Sequence, residues 1–170
     1  MTTDSLSRRG FIAGMTLSAG FATGAHAARA IDLSWEDLLP KGETSAPAPV
    51  LRGVIQHDEA SLASQQPASS GVRTDWNGST VRIPGFVVPI KYSGTGVVAF
   101  ILVPYVGACI HVPPPPANQL VLVTIERPYE VRDIFEPVRV TGVLEAASAS
   151  TELAEIGYTL SASRVESYKL

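Results

Sequence analysis

From Thr80 onward the chain alternates between apolar and polar positions. In "STVRIPGFVVPIKY" the apolar positions are Val81 and Ile83, then Phe86, Val88 and Ile90. A period of two marks a strand with one face in a core. The phase shifts at Pro84-Gly85, where a bulge or bend is expected. The run Val97 to Tyr105, in "GVVAFILVPY", is apolar throughout and predicts a strand buried on both faces. "QLVLVTIE", Gln119 to Glu126, predicts the next strand. "EPVRVTGVLEA" alternates at Val138, Val140, Gly142 and Leu144, and "GYTLSASRVESYKL" at Tyr158, Leu160 and Ala162, resuming at Val165 or Tyr168. Upstream, Val72 to Trp76 reads as a strand leading into Asn77-Gly78, the strongest hairpin turn pair.

Helical patterning is brief. Ile31 to Leu39 predicts a short helix, with Ser34 as cap, Asp37 three residues on, and Trp35, Leu38 and Leu39 as the apolar face. Pro40 stops it, and Trp35 is read as its anchor on the rest of the fold. Asp58 to Gln66, capped by Asp58, predicts a second short helix. Lys41 to Pro49 reads as a Pro/Ala/Ser linker and Pro67 to Gly71 as a loop.

Short strands separated by turn signals, with no long helix, imply an all-β sandwich or barrel. "RVTGVL" places Gly142 in a late strand, where a glycine lets a sheet coil and close. The expected fold is a small OB-like five-stranded β-barrel with a short N-terminal helical extension. The alternative is a small open β-sandwich. The expected organisation is a signal peptide over 1–27, a helical and loop extension with linker over 28–71, and the barrel over 72–170.

The N-terminus sets the expected compartment. Ser7-Arg8-Arg9-Gly10-Phe11-Ile12 matches the bacterial twin-arginine export signal, and Phe11 to Ala25 is a moderately apolar stretch rich in Gly and Ala. That stretch is shorter than the ~20 residues of a transmembrane span. Ala25-His26-Ala27 and Ala28-Arg29-Ala30 are both cleavage patterns, which places the cut after Ala27 or Ala30. The expectation is a periplasmic protein with no transmembrane span in its mature form. Twin-arginine export carries folded proteins, so a ligand acquired before export is one reason for the route.

The 170-residue chain carries a formal charge of −3. Residues 1–27 hold Arg8, Arg9 and Asp4, so their removal leaves about −4. With no basic run, this excludes nucleic acid as the expected partner. The single cysteine allows no internal disulfide. In an oxidising compartment its thiol has to be buried, ligating, reacting or paired with another chain.

That cysteine lies in "GACIHVPPPPANQ". If Ala108 to Val112 is extended, Cys109 and His111 share a face about 6 to 7 Å apart. A thiolate and an imidazole at that spacing suit zinc or copper. A zinc site within one chain would need further ligands, and His57, Asp58 and Glu59 form the other donor cluster. A second reading makes Cys109 a nucleophile, activated by His111 and oriented by Asn118, so that the chain would be a thiol-dependent enzyme. A third makes the stretch a structural corner. Pro113, Pro114, Pro115 and Pro116 then form a stiff polyproline segment, with Tyr105 packing on it and Asn118 and Gln119 bonding its carbonyls. Such a segment would present a preformed surface to a protein partner. The leading expectation is this third reading, a non-catalytic binding module. Glu126-Arg127 and Glu130 to Asp133 read as a solvated loop between strands. No phosphate-binding glycine loop, GxSxG or HExxH occurs in the sequence.

Four stretches, "VRIPGFVVPI", "FILVPYVGACIHVPPPPANQLVLV", "PVRVTGVL" and "GYTLSASRVESY", resemble a bacterial family of exported proteins catalogued as domain of unknown function 3299. The likeness covers Trp35 and then Thr80 to Tyr168. The resemblance implies an exported protein with an OB-like barrel and no established activity. It also implies a role beside envelope transport, with an ABC-type permease as a partner, or in metal homeostasis.

Overall fold

The alternation that starts at Val81 runs further than the pattern implies. In the computed structural model, which describes residues 29–44, 65–110, 112–133 and 136–169, it belongs to one strand of fifteen residues. The six strands are β1 (Ile31–Asp32), β2 (Ser79–Ser93), β3 (Gly96–Val103), β4 (Val121–Tyr129), β5 (Pro137–Ser150) and β6 (Glu155–Ser167). Strands β2 to β6 close in the order β2-β3-β4-β6-β5 and back to β2, while β1 adds to β2 from outside. All barrel pairings are antiparallel except β4 with β6. This is the all-β, OB-like five-stranded barrel, with one extra strand.

Strand β2 serves both sides of the barrel by changing partner. Ser79 to Phe86 pair with β5, and Phe86 to Ser93 pair with β3. Pro84-Gly85 is not a bulge: Pro84 pairs with Arg139 and Gly85 with Val138 in unbroken register, and the shifts in β2 lie at Pro89/Lys91 and Lys91/Tyr92. The inward set is Val81, Ile83, Gly85 and Val87. Gly85 is silent in a hydrophobicity pattern, which is why the phase looked broken. A Cβ there would stand 2.7 Å from the Val103 carbonyl oxygen. Val88 is buried as well, but in a second cluster. Gly142 plays the role expected of it. It sits at a register shift between β5 and β6, and a side chain would strike the Ser161 carbonyl.

Two clusters make the core. The larger fills the barrel with Val81, Ile83, Phe100, Leu102, Val138 and Tyr158 among others. Leu33 and Leu38, from the N-terminal segment, belong to it. The smaller lies under the chain between β3 and β4, where Val88, Ile101, Val103, Ala108, Cys109 and Leu120 pack together. Strand β3 is buried on both faces, as its apolar run predicts, because one face meets each cluster.

The N-terminal helix is not formed. Ile31–Asp32 are strand, and only Glu36–Leu38 make a single 3-10 turn. The Ser34/Asp37 pairing is real: the Asp37 carboxylate accepts from the Ser34 N–H at 2.7 Å and from its hydroxyl at 2.8 Å. Leu39 is already extended, so the turn ends as soon as it has delivered Leu38 to the core. Trp35 is the anchor expected of it, with its indole N–H donating to the Pro84 carbonyl at 2.8 Å. Of the second expected helix, Asp58 to Gln66, only Gln65 and Gln66 lie within the described residues.

Val72 to Trp76 is not a strand, and Asn77-Gly78 does not close a hairpin. The segment crosses the end of the barrel, and its polar groups are taken by side chains and loops. The Arg73 N–H donates to the Tyr158 hydroxyl at 2.6 Å, and the Trp76 indole donates to the Asp37 carbonyl at 3.0 Å. Gly78, at φ +72°, starts β2, and Asn77 accepts from the Ala146 N–H at 2.7 Å. The two-residue hairpin turn is at Gly94-Thr95, between paired Ser93 and Gly96.

Tyr158 is fully buried, and its hydroxyl donates to the Leu38 carbonyl at 2.7 Å while accepting from Arg73. Tyr158→Phe removes both bonds and strands two buried backbone groups. Urea denaturation should show a loss of about 2 kcal/mol with the native fold retained. A change within a few tenths of a kcal/mol would show that the hydroxyl does not hold the N-terminal segment.

Candidate functional site

The cysteine motif is a turn rather than an extended strand. Gly107 has φ +84° and Cys109 φ +64°, and the Gly107 carbonyl accepts from both Ile110 and Val112 at 3.2 Å. Ala108 and Cys109, neighbours in sequence, both turn inward, while Ile110 faces solvent. The alternation that would have put Cys109 and His111 on one face does not apply to such a backbone. His111 itself lies outside the described residues.

Cys109 is 3% exposed in the smaller cluster, and burial pushes its thiol up to about 12. At neutral pH it is protonated, the form that neither ligates nor attacks well. Among the described residues, no three His, Cys, Asp or Glu come together. Asn118, expected as an orienting group in the enzyme reading, spends its amide N–H bonds on the Ser70 hydroxyl at 3.1 Å and the Gly71 carbonyl at 2.8 Å. Tyr105 packs on the same cluster as Cys109 and is raised by burial, then by the charge of Cys109.

The prolines are gripped from outside. Pro114 and Pro115 are buried, and Pro113 and Pro116 are half-buried. The Gln66 side chain donates to the Pro115 carbonyl and the Glu155 carbonyl, and accepts from the Glu155 N–H, each at 2.8 Å. Gln119 donates to the Trp35 carbonyl at 2.8 Å. Loop, N-terminal segment and the start of β6 are thus tied together through amide side chains.

A different place in the barrel opens to solvent. Strands β4 and β6 run parallel and pair from Val121↔Tyr158 to Ile125↔Ala162, then separate. Past that point β4 follows β3, where Val97 pairs with Tyr129, and β6 follows β5 to Ser167. The divergence leaves a cleft of about 900 Å³, lined by Thr124 to Tyr129 and Ser161 to Val165. Glu126 and Arg127, expected in a solvated loop, lie in β4 and form one wall of it. Arg164 on the other wall pairs with Glu166 at 2.8 Å. Tyr129 is half-buried, and its phenol is raised by burial and then by Glu136. Sequence patterning missed this cleft, because a seam between strands distant in sequence leaves no local signal. The one trace is Pro128, which ends the regular alternation of β4.

The family model described as "Protein of unknown function (DUF3299)" matches residues 35–167. A crystal structure of a DUF3299 family protein from Pseudomonas aeruginosa PAO1 is similar to this chain, with a TM-score of 0.72 and 38% identity over 83% of this chain and 97% of that one. No curated protein matches.

The thiol provides a direct check on the motif. Ellman's reagent at neutral pH should leave Cys109 unmodified in the native protein and titrate it fully in denaturant; rapid native reaction would contradict the burial. The pH dependence has a definite sign. A thiol raised in the folded state from 9.0 to about 12 costs nothing below pH 9, and its contribution is lost as pH climbs from 9 toward about 12. Cys109→Ala should therefore flatten the alkaline decline in urea-derived stability across that window.

Proposed function

The chain belongs to the DUF3299 family, and we propose that it is a non-catalytic binding module of the bacterial cell envelope, exported by the twin-arginine route and acting in the periplasm. The observation that carries the binding reading is the cleft between β4 and β6, where an otherwise closed barrel opens to solvent with charged and hydroxyl-bearing walls. Concave openings in β-barrels are common ligand positions. The motif around Cys109 supports the same reading from the other direction, since its thiol is buried and its prolines are half-buried or buried within the fold. In this reading the proline loop is a brace that fixes the barrel rather than the docking face itself. Among the described residues, no helix is long and apolar enough to cross a membrane.

Export is supported by Arg8-Arg9 and the small-residue sites that follow. The partner is taken to be an envelope protein, with a transport assembly of the ABC-permease type as the candidate.

Two linked experiments test the proposal in cells expressing the full chain. Fractionation should place a shortened protein in the periplasm, and Arg8→Lys with Arg9→Lys should hold the precursor in the cytoplasm; a cytoplasmic wild-type protein would overturn the export reading. A photo-crosslinking residue at Glu126, in the cleft, should give a discrete adduct that the same residue at exposed Lys91 does not. Equal crosslinking at both positions, or none at Glu126, would remove the cleft as the binding surface.

A further inference from the structure

We propose that the open edge of β6, from Ser163 to Ser167, receives an acidic peptide segment by strand addition; this deepens the reading of the cleft and rests on it. Strand β6 pairs with β5 along this stretch through Val140↔Val165 and Val138↔Ser167. On its other side it pairs with β4 only as far as Ala162. Beyond Ala162, no strand among the described residues bonds that edge. Alternate residues there offer N–H and C=O groups to any extended chain laid beside them.

The opposite wall does not compete for that ladder. Pro128 carries no N–H, and the register between β3 and β4 slips between Val97 and Ala99. The chain also shows how it fills an open edge with a strand of its own. Strand β3 reaches β2 only at Phe86, and β1 adds in parallel to the edge of β2 left free before it. Ile31 pairs with Val81, and the Leu33 N–H continues the ladder to the Arg82 carbonyl at 2.9 Å. The edge of β6 is the matching position on the other side of the barrel, and no described strand covers it.

Charge selects the class of peptide. The cleft is lined by Arg127 and Arg164 against one carboxylate, Glu126, a positive patch on a chain of net charge −3. Arg127 is exposed and makes no ion pair among the described residues. Ile125, Ala162 and Val165 line the same cleft. A strand alternating acidic and apolar residues matches both features, because its two faces carry different side chains.

The test uses the mature full-length chain and a fluorescein-labelled octapeptide alternating aspartate and valine, read by anisotropy and by amide hydrogen exchange. The acidic peptide should bind saturably and slow exchange within Ser163 to Ser167. N-methylation of the backbone nitrogens along one peptide edge should weaken binding about tenfold or more, and Arg127→Ala should do the same while leaving thermal stability unchanged. The lysine-valine counterpart should not bind. Failure of the acidic peptide to bind, indifference to N-methylation or to charge, or protection elsewhere would overturn strand addition. Displacement of the peptide by polygalacturonate, with direct binding of that polymer, would assign the cleft to an acidic glycan instead. Protection of the same amides by self-association without peptide would assign it to a second copy of the chain. A retained cellular adduct at Glu126 with no peptide binding would leave the cleft as a binding surface and reject only its occupant.

Discussion

The hydroxyl of Tyr158 holds together segments that the sequence places far apart. Its ring fills the barrel, and its oxygen reaches the barrel's end, donating to the Leu38 carbonyl and accepting from the Arg73 N–H. Burial pushes its phenol up, so it stays neutral and keeps its proton for that bond. Around this point, the Trp76 indole and the Arg73 guanidinium both bond the Asp37 carbonyl. Arg73 also lies over the Trp76 ring at 5.3 Å and pairs with Asp75 at 2.8 Å. The end of the barrel is thus closed by a polar knot in which most donors meet backbone carbonyls, and Leu33 and Leu38 are carried into the core beneath it.

Once that end is closed, the proline loop becomes intelligible as a second brace. It roofs a small core on the outer face of β3, with Cys109 as one of its apolar members. Gln66, Asn118 and Gln119 then stitch the loop to the segments on either side. Amide side chains suit this task, since each carries a donor and an acceptor without the cost of burying a charge. The same economy explains why the one thiol is protonated and inaccessible: it packs as a small hydrophobe.

With one end plugged and one flank roofed, the barrel's open place is the seam between β4 and β6. These strands are the one parallel pair in the barrel, and each leaves the other to follow its antiparallel neighbour. The seam combines unspent strand edge, hydroxyls and guanidinium groups, the features of a surface that binds rather than reacts.

Much of the barrel is legible in the chain alone. Alternation at Val138, Val140 and Leu144, and at Tyr158 and Leu160, reports side chains that face one core. That signal survives in sequence because strand periodicity is local. Gly142 is readable for the same reason, as a gap in an apolar series where the sheet coils. What the tertiary structure alone decided are the features that depend on who faces whom. Gly85 contributes no hydrophobic signal, so the phase of β2 was misread until Val103 was seen against it. Val72 to Trp76 has a strand's composition, yet its backbone and indole are claimed by Tyr158 and Asp37, distant in sequence. Ile31 to Leu39 has a helix's capping pair, but Leu38 is needed in the core after a single turn. The motif around Cys109 looked extended because polyproline follows it, whereas two positive φ angles fold it inward. The cleft exists only because two strands separated by more than thirty residues part company, and no local pattern can record where they do so.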